Sequence, residues 1–445
     1  MTFRQLTTAS LVPLCSFAYL ASASQPLCGR GLPSSPLLAA KLVSIDETNT
    51  GRDPTSWSPW THKPRCVEAA DSPFCVFTNS DPAIGGLDKG ISIITTPEKA
   101  SGSMNLLEHI TLSHAPPRDK SPKRPYAVRD VLGKGKGTIA TAKIAKGQTI
   151  LVDHVLVLSV AEYPDDVLRT EVQELLGTAV EQLSEPERIY ELSRKGRNEE
   201  EGFSEVEDLL LSNSFLVEVA GGSYMGLFPD LARVNHACNS NALMHFSEKT
   251  LAMTIVAARD IEPGEEITIS YIDTGLPYSE RQETLHTIWG FNCTCSLCSA
   301  PPEARKASDA RRTEIQILKE KVIRLAQRGE FHKAIDNAEN LFAVIDEEGL
   351  TASMTDMYEI PARLYYQVGN LEKASDYTKR SLRALEEGFE VVPGSKEEKK
   401  IDVLRKVLAR IEAEMEEEKR REDEIEQKKK EGGKKKIDNK SGRMI

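Results

Sequence analysis

Short apolar runs in the middle of the chain give way to long, mostly helical patterns after Pro301. Five of these runs are rich in β-branched residues and are bounded by Gly, Pro or charge, which predicts strands over Tyr126–Leu132, Thr138–Lys143, Thr149–Val160, Leu251–Ala257 and Ile267–Tyr271. Between them, Asp165–Glu191 and Glu199–Leu211 have the spacing of apolar residues that predicts helices. The pattern predicts an α+β fold in which a sheet-rich domain with a helical insertion spans residues 126–299.

The region after Pro301 contains an internal repeat. Gly329-Glu-Phe-His-Lys-Ala334 recurs forty residues later as Gly369-Asn-Leu-Glu-Lys-Ala374. This period is near that of tetratricopeptide (TPR) repeats, so an all-α, TPR-like domain is predicted over residues 303–425, with an ordinary helical bundle as the alternative. The chain ends in a basic tail over residues 426–445.

The N-terminal quarter has a different composition. Residues 1–24 have one positive charge, an apolar stretch and a small-residue exit, which predicts a secretory signal peptide. A disordered apolar N-terminus, or a helix packed into the fold, is the alternative. Residues 25–125 are rich in Pro, Gly and Ser and end in a proline-rich connector, so a domain boundary is predicted near residue 125. No apolar run elsewhere reaches the roughly 18 residues of a membrane span, so we expect no membrane span in the mature chain.

Charge excludes one class of function and favours one kind of partner. The chain of 445 residues has 57 Lys and Arg against 68 Asp and Glu, a net charge of −11. A broad basic surface for nucleic acid is therefore not expected. From Lys428 to Arg443 the tail has eight basic and two acidic residues, so the rest of the chain carries about −17. An acidic body favours a basic peptide as partner, and the basic tail is interpreted either as a nuclear address or as a solvated terminus.

The eight cysteines form two groups. The early group is Cys15, Cys28, Cys66 and Cys75, and the late group is Cys238, Cys293, Cys295 and Cys298. If the chain is secreted, the short loop between Cys66 and Cys75 predicts a disulfide, and if it is cytosolic these are reduced thiols. In the late group, three thiols in a Cys-x-Cys-x-x-Cys segment need a fourth ligand to hold zinc, and Cys238 supplies it. Four thiolates leave no open position, so the predicted zinc is structural.

Four motifs follow one another through the sheet-rich region. They are Gly133-Lys-Gly-Lys-Gly137, Arg233-Val-Asn-His-Ala-Cys-Asn-Ser-Asn241, Gly264-Glu-Glu-Ile-Thr-Ile-Ser-Tyr271 and Trp289-Gly-Phe-Asn-Cys293. In this order they resemble the cofactor turn, the Asn-His signature, the tyrosine signature and the post-SET zinc segment of SET-domain protein lysine methyltransferases. Asn213-Ser-Phe215, Gly226-Leu-Phe-Pro229 and the helical C-terminal region resemble the SMYD group and its fungal relatives within that family.

The chain departs from the family pattern at three places. Ser240 replaces the usual proline of the Asn-His signature, and Trp289 stands where Tyr is common. No Cys/His cluster interrupts residues 160–213, so the resemblance is to a SMYD-like type without the MYND zinc finger.

The resemblance implies transfer of a methyl group from S-adenosylmethionine to a lysine ε-amine of a protein, histone or other. It implies Tyr271 as the catalytic residue and cofactor contacts from Lys134, Gly135, Lys136, Gly137, Asn213, Asn235, His236 and Phe291. The residue types suit these roles, because glycine lets backbone approach a ligand closely and an asparagine amide both donates and accepts hydrogen bonds. Three alternatives stay open: solvent-exposed lysines on a turn, a helix cap for Asn213 and core packing for Phe291.

The lysine substrate must reach the site uncharged. A narrow aromatic channel lowers the pKa of an amine by desolvation, and Tyr224, Tyr271 and Trp289 are candidate walls. The alternative function is a catalytically inactive SET scaffold that binds proteins, with the helical repeat as the candidate binding region. A secreted, disulfide-bearing binding protein is the third class, although S-adenosylmethionine is a cytosolic metabolite. We expect a nuclear or cytoplasmic location if the N-terminus is retained and the secretory pathway if it is cleaved.

Overall fold

A computed structural model describes residues 59–81, 90–101, 124–193, 203–350, 357–388 and 395–441. The predicted signal peptide, Cys15 and Cys28 lie outside these ranges. The described residues combine a β-rich part with an all-helical part, which confirms the predicted α+β class. Among them, no helix is both long enough and apolar enough to cross a membrane.

Three sheets build the β-rich part. A six-stranded sheet has the order β1-β2-β3-β7-β9-β8, a four-stranded sheet the order β10-β13-β5-β4, and a three-stranded sheet the order β11-β12-β6. The strands are β1 Arg65–Val67, β2 Phe74–Asn79, β3 Ile91–Thr95, β4 Tyr126–Val131, β5 Gly135–Ala140, β6 Thr149–His154, β7 Val157–Val160, β8 Ser214–Val219, β9 Gly222–Leu227, β10 Asn235–His236, β11 Ala242–Ser247, β12 Ala252–Ala257 and β13 Glu266–Ile269.

Helices cover one face of the large sheet. The predicted insertion contains α1 Arg169–Glu181, α2 Glu187–Tyr190 and α3 Glu205–Asn213, and a further helix, α4 Tyr278–Trp289, follows the last strand. Helix α1 packs against β2 and β3, whose residues are all buried. Strands covered on both faces read as continuous apolar runs, which explains why alternation is weak there.

The large sheet begins before the predicted boundary at residue 126. Strand β3 pairs in parallel with β7, with Ser92 opposite Val157, so β1 to β3 extend the sheet of the β-rich part. The proline-rich composition of residues 25–125 concealed these strands. Cys66 and Cys75 lie directly opposite each other on β1 and β2 and form a disulfide.

The C-terminal part consists of helices α5 Pro302–Gln327, α6 Phe331–Glu347, α7 Glu359–Gln367, α8 Leu371–Gly388 and α9 Lys396–Ser441. The two copies of the predicted repeat lie at equivalent turns. Gly329 and Gly369 both have positive φ, at 73° and 77°, and end α5 and α7. Ala334 and Ala374 are both fully buried on the following helix. The TPR-like assignment stays a prediction, and α9 continues through Gly432 and Gly433 into the predicted basic tail.

Candidate active site and metal site

A cleft of about 700 Å³ collects most of the residues singled out in the sequence. It is lined by Lys134, Gly135, Lys136, Asn213, Asn235, His236, Tyr271 and Phe291, together with the thiol-bearing residue Cys293. Residues 191–193, to which sequence analysis gave no role, also line it. Of the predicted cofactor contacts, Gly137 alone is not part of this lining.

The glycines in and directly after the β4–β5 turn are required for different physical reasons. Gly133 and Gly135 have φ of 74° and 72°, a conformation that residues with a Cβ rarely adopt. Gly137 instead lies beneath the cleft, where an added Cβ would be 2.7 Å from the side-chain nitrogen of Asn235. Gly135 therefore shapes the turn at the cleft, whereas Gly137 makes room for Asn235.

Parallel pairing brings the two signature motifs together. Strand β10 pairs with β13, so that Asn235 lies opposite Thr268 and His236 opposite Ile269. Asn241 fixes this arrangement, because its amide donates to the Glu266 carbonyl at 2.9 Å and accepts from the Thr268 N–H at 2.8 Å. The last asparagine of the Asn-His signature thus holds the strand that leads to Tyr271.

Glu266 is a site residue that sequence analysis missed. One of its oxygens accepts from Asn235 Nδ2 at 2.8 Å, and the other accepts from Lys134 Nζ at 2.6 Å. Asn235 also donates to the Lys136 carbonyl at 3.1 Å. Both amide hydrogens of Asn235 therefore point toward the protein. Glu266 follows an identical residue, Glu265, so only the strand register identifies the one that faces inward.

The two lysines of the turn differ in their surroundings. Lys134 is about three-quarters buried at its side chain and pairs with Glu266, whereas Lys136 is half-exposed and pairs with Asp130 at 2.8 Å. The open alternative of a solvent-exposed lysine thus describes Lys136 better than Lys134.

The His236 ring connects the tyrosine segment to the thiols. Its Nδ1 accepts from the Tyr271 backbone N–H at 3.0 Å, which leaves Nε2 to carry the proton, 3.3 Å from Cys238 Sγ. Burial lowers the pKa of His236 to about 4. The imidazole is therefore neutral at pH 7, and its ring is committed to these two partners.

Tyr271 presents its hydroxyl beside aromatic rings. The hydroxyl donates to the Val234 carbonyl at 2.7 Å. Its ring centre lies 5.4 Å from that of Trp289 and 6.5 Å from that of Phe215. Tyr224, a candidate channel wall, is buried in the sheet core, where its hydroxyl lies 2.9 Å from Thr95 Oγ1. Phe215, and not Tyr224, therefore lies beside the Tyr271 ring.

Asn213 and Phe291 each fit two of the interpretations left open. Asn213 ends α3, and its amide donates to the Leu209 carbonyl at 2.8 Å, as a helix-ending residue does, yet it also lines the cleft. The ring centre of Phe291 lies 6.4 Å from that of His236, and Phe291 lines the same cleft. Packing and ligand contact are compatible at both positions.

Four buried thiols form the candidate metal site. The Sγ atoms of Cys238, Cys293, Cys295 and Cys298 all lie within 4.8 Å of one another, and no other such cluster occurs among the described residues. Cys238 Sγ is 3.9 Å from that of Cys293 and 3.5 Å from that of Cys298. Ligands about 2.3 Å from a tetrahedral zinc are roughly 3.8 Å apart, so this donor set fits zinc.

Local structure brings the late thiols to Cys238. Helix α4 ends at Gly290 in the left-handed conformation, which turns the chain toward the thiol segment. Gln282 on α4 holds Cys293 through two hydrogen bonds of 2.9 Å, one in each direction. Hydrogen bonding with the other three thiols, Cys293 first, raises the pKa of Cys238, while Cys238 as donor lowers that of Cys295. A divalent cation would allow all four to ionise together.

Comparison with known proteins agrees with this geometry. The SET domain family matches residues 135–272. Histone-lysine N-methyltransferase set5 of Schizosaccharomyces pombe is 29% identical over 58% of this chain and 77% of its own length. N-lysine methyltransferase SMYD2 of Homo sapiens is 36% identical over 23% of this chain and 25% of its own length, and SMYD2-B of Danio rerio is 38% identical over 20% of each.

The chain thus spans about three-quarters of set5 but only a quarter or less of the two SMYD2 proteins. The matched family segment begins at Gly135, directly after the β4–β5 turn, and contains the Asn-His signature and Tyr271, all of which line the cleft. Residues 135–272 therefore form a SET domain, and the chain is similar over part of its length to protein-lysine methyltransferases of the set5 and SMYD2 type.

Proposed function

We propose that the protein is an S-adenosylmethionine-dependent protein-lysine N-methyltransferase. The observation that carries this proposal is the meeting of the Gly133–Gly137 turn, the Asn235-His236 pair and Tyr271 around one cleft. Bound S-adenosylmethionine would supply a methyl group on a sulfonium sulfur. The chain must then hold a lysine amine in line with it and keep water away.

The residues in and around the Gly133–Gly137 turn are suited to bind the cofactor. Gly133 and Gly135 expose backbone at the cleft, and the Asn235 amide is held from behind by Glu266. Lys134 and Lys136 place two positive charges beside the same cleft for a carboxylate. Phe291 offers an aromatic face for an adenine ring.

Tyr271 is the proposed catalytic residue. Because its hydroxyl proton is directed to the Val234 carbonyl, the oxygen is left to accept a hydrogen bond from the incoming amine. Trp289 and Phe215 provide an apolar environment that favours the neutral amine over the ammonium ion. The amine nitrogen forms a bond to the methyl carbon as the carbon–sulfur bond breaks, and the methylated ammonium then loses its proton to water.

The thiol site has a structural role in this proposal. Cys238, Cys293, Cys295 and Cys298 would hold zinc with all four positions filled, so the metal would not activate a substrate. It would join the segment after His236 to the segment that carries Phe291. Two parts of the cleft lining would thus be fixed by one ion.

We propose a lysine in a basic protein segment as the substrate. The relative set5 is described as a histone-lysine methyltransferase and SMYD2 as an N-lysine methyltransferase, and the net charge of −11 favours a basic partner. The test is incubation of the full chain with labelled S-adenosylmethionine and a panel of histone and non-histone proteins, with mass spectrometry to locate the label.

We expect label on lysine, and none from a Tyr271→Phe control. Calorimetric titration of the zinc-loaded chain with S-adenosylmethionine separates the alternatives. Absence of cofactor binding by the folded chain would contradict the proposal, and cofactor binding without label on any protein of the panel would favour the inactive scaffold.

A further inference from the structure

The helical part contributes a buried charge to the β-rich part. Arg312 lies on α5, and its side chain is fully buried. Its Nη2 donates to the Cys238 carbonyl at 3.1 Å, and its Nη1 donates to the Thr274 carbonyl. A planar guanidinium with several fixed donors can hold two separate carbonyls at once, which a single ammonium group does poorly.

Arg312 has its counter-charge inside the helical part. Its Nε donates to Glu348 at 2.7 Å, and the Glu348 side chain is only 2% exposed. The hydroxyl of Ser308 also donates to Glu348, and Arg311 donates to the second carboxylate oxygen at 2.8 Å. The buried pair is therefore well hydrogen-bonded, a condition for tolerating charges away from water.

Close packing shows that α5 is fitted against this region. A Cβ added at Gly275 would overlap the side chain of Gln316 on α5. Asp309, also on α5, accepts the Tyr278 N–H at 2.8 Å. Helix α5 therefore contacts the β-rich part on both sides of Arg312.

The two carbonyls that Arg312 holds belong to the two functional segments of the cleft. Cys238 is a thiol of the candidate metal site and lies two residues after His236. Thr274 lies three residues after Tyr271. We propose that Arg312 is a positioning residue that fixes the thiol segment relative to the tyrosine segment, so that the helical part completes the methyltransferase site. This role deepens the proposed function and rests on it.

The decisive variants separate positioning from simple stability. Arg312→Met leaves the buried Glu348 without its closest cationic partner and is expected to lower the unfolding temperature. The double variant Arg312→Met/Glu348→Leu removes both charges and is expected to recover most of that stability, because a buried pair can be replaced by apolar groups at little cost. Arg312→Lys keeps the charge beside Glu348 but cannot span both carbonyls. Arg311→Met is the matched control, since Arg311 contacts the same glutamate and, within the part of the chain that the structure describes, makes its hydrogen bonds and ion pairs to Glu347 and Glu348 of the helical part.

Four quantities are measured on each full-length, zinc-loaded variant: unfolding temperature, the rate of zinc release to a chelator, and kcat and KM for methyl transfer. In the double variant and in Arg312→Lys we expect zinc release about tenfold faster and kcat about tenfold lower, as for residues that orient metal ligands, with KM for the cofactor changed far less. The control should match the unmodified chain in zinc release, kcat and KM, whatever its unfolding temperature.

A double variant or a folded Arg312→Lys variant with unchanged zinc release and kcat would overturn the role of Arg312. If the unmodified chain transfers no methyl group, the proposed function fails, but faster zinc release by the variants still supports the positioning of Cys238. The two ideas therefore fail through different measurements.

Discussion

The cleft has two walls of different construction. On the thiol wall, His236 and Cys238 are buried, and the His236 ring nitrogens face the Tyr271 N–H and a thiol. On the turn wall, Lys134 and Glu266 form an ion pair that is about one-fifth exposed, and Lys136 pairs with Asp130 at the surface. The thiol wall contains buried, fully engaged groups, whereas the turn wall contains charged groups near water.

This difference predicts that substitutions on the two walls have different effects. Buried polar groups are costly to leave unpaired, so each change on the thiol wall should disturb geometry and stability together. Ion pairs near water contribute less than buried ones, about 0 to 1 kcal/mol for an exposed pair such as Lys136–Asp130, so changes on the turn wall should act mainly on ligand binding. Substitutions on each wall can break this distinction or sharpen it.

The largest effect is expected from loss of a thiol ligand. Cys295→Ser removes one of four sulfur atoms that lie within 4.8 Å of one another. We expect zinc affinity to fall at least about 100-fold and the chain to unfold at lower temperature, because binding energy at a structural zinc is also folding energy. Metal analysis and thermal unfolding measure both.

Cys66→Ser is the control for the loss of a thiol. Cys66 forms the disulfide with Cys75 and is not part of the late thiol cluster. Its replacement should therefore leave the zinc affinity unchanged. A Cys295→Ser chain that keeps one zinc and its stability would contradict the four-thiol ligand set.

Tyr271→Phe should give the next largest effect, confined to turnover. The variant keeps the ring that packs against Trp289 and Phe215 and removes only the hydroxyl. Loss of one well-placed polar group in a reaction site commonly lowers kcat about 10²- to 10³-fold. We expect single-turnover rates to fall in this range while calorimetric affinity for S-adenosylmethionine changes little. An equal fall in affinity would assign the hydroxyl to cofactor binding instead.

Glu266 tests the turn wall. Glu266→Ala removes the acceptor of Asn235 and the partner of Lys134, and we expect cofactor affinity to fall about tenfold with a smaller change in kcat. Glu266→Gln keeps an acceptor for Asn235 and loses the ion pair, so its effect should be only a few-fold. An equally large fall in cofactor affinity in both variants would mean that the ion pair with Lys134, and not the orientation of Asn235, controls cofactor binding.

Sequence alone predicted the parts of the site that depend on residue chemistry. A cluster of four thiols has few uses besides binding metal, so the ligand set could be written down before any fold was known. Glycine at 135 and a tyrosine at the end of a strand were likewise visible as residue types at fixed positions. The SET family and the α+β class are confirmed, while the individual roles in binding and catalysis stay predictions.

Long-range pairing decided what the sequence did not reveal. Strand β3 joins β7 across more than sixty residues, and nothing local to its Pro- and Gly-rich surroundings indicates that partner. Phe215 and Tyr224 lie on neighbouring strands, and only their register shows that Phe215 contacts Tyr271 while Tyr224 enters the core. Glu266 was missed for the same reason, because its two partners come from β10 and the β4–β5 turn.

The smallest effect on turnover is expected beneath the two walls, at Asp153. Its carboxylate accepts the N–H groups of Asp230 and Leu231, in the turn that leads into Val234. Burial, followed by the nearby charge of Asp230, raises the pKa of Asp153 to about 7 from its ordinary value of 3.8. The folded protein therefore keeps this proton over a range in which the unfolded chain has lost it, so the stability that Asp153 contributes is complete below pH 4 and is lost as the pH rises to about 7.

Asp153→Asn keeps an acceptor for both N–H groups and has no proton to lose. The free energy of unfolding of this variant, measured relative to the unmodified chain, should increase between pH 4 and 7 by a few kcal/mol at most and then stay constant, since one unit of pKa shift corresponds to about 1.4 kcal/mol. Turnover at pH 8 should change less than about threefold, because the turn geometry is retained. Urea unfolding of both chains at pH 4, 5.5, 7 and 8 measures this difference. A difference that does not vary with pH would show that Asp153 is already ionised in the folded protein at pH 4, and a large loss of turnover would place this carboxyl among the groups that set the cleft geometry rather than beneath them.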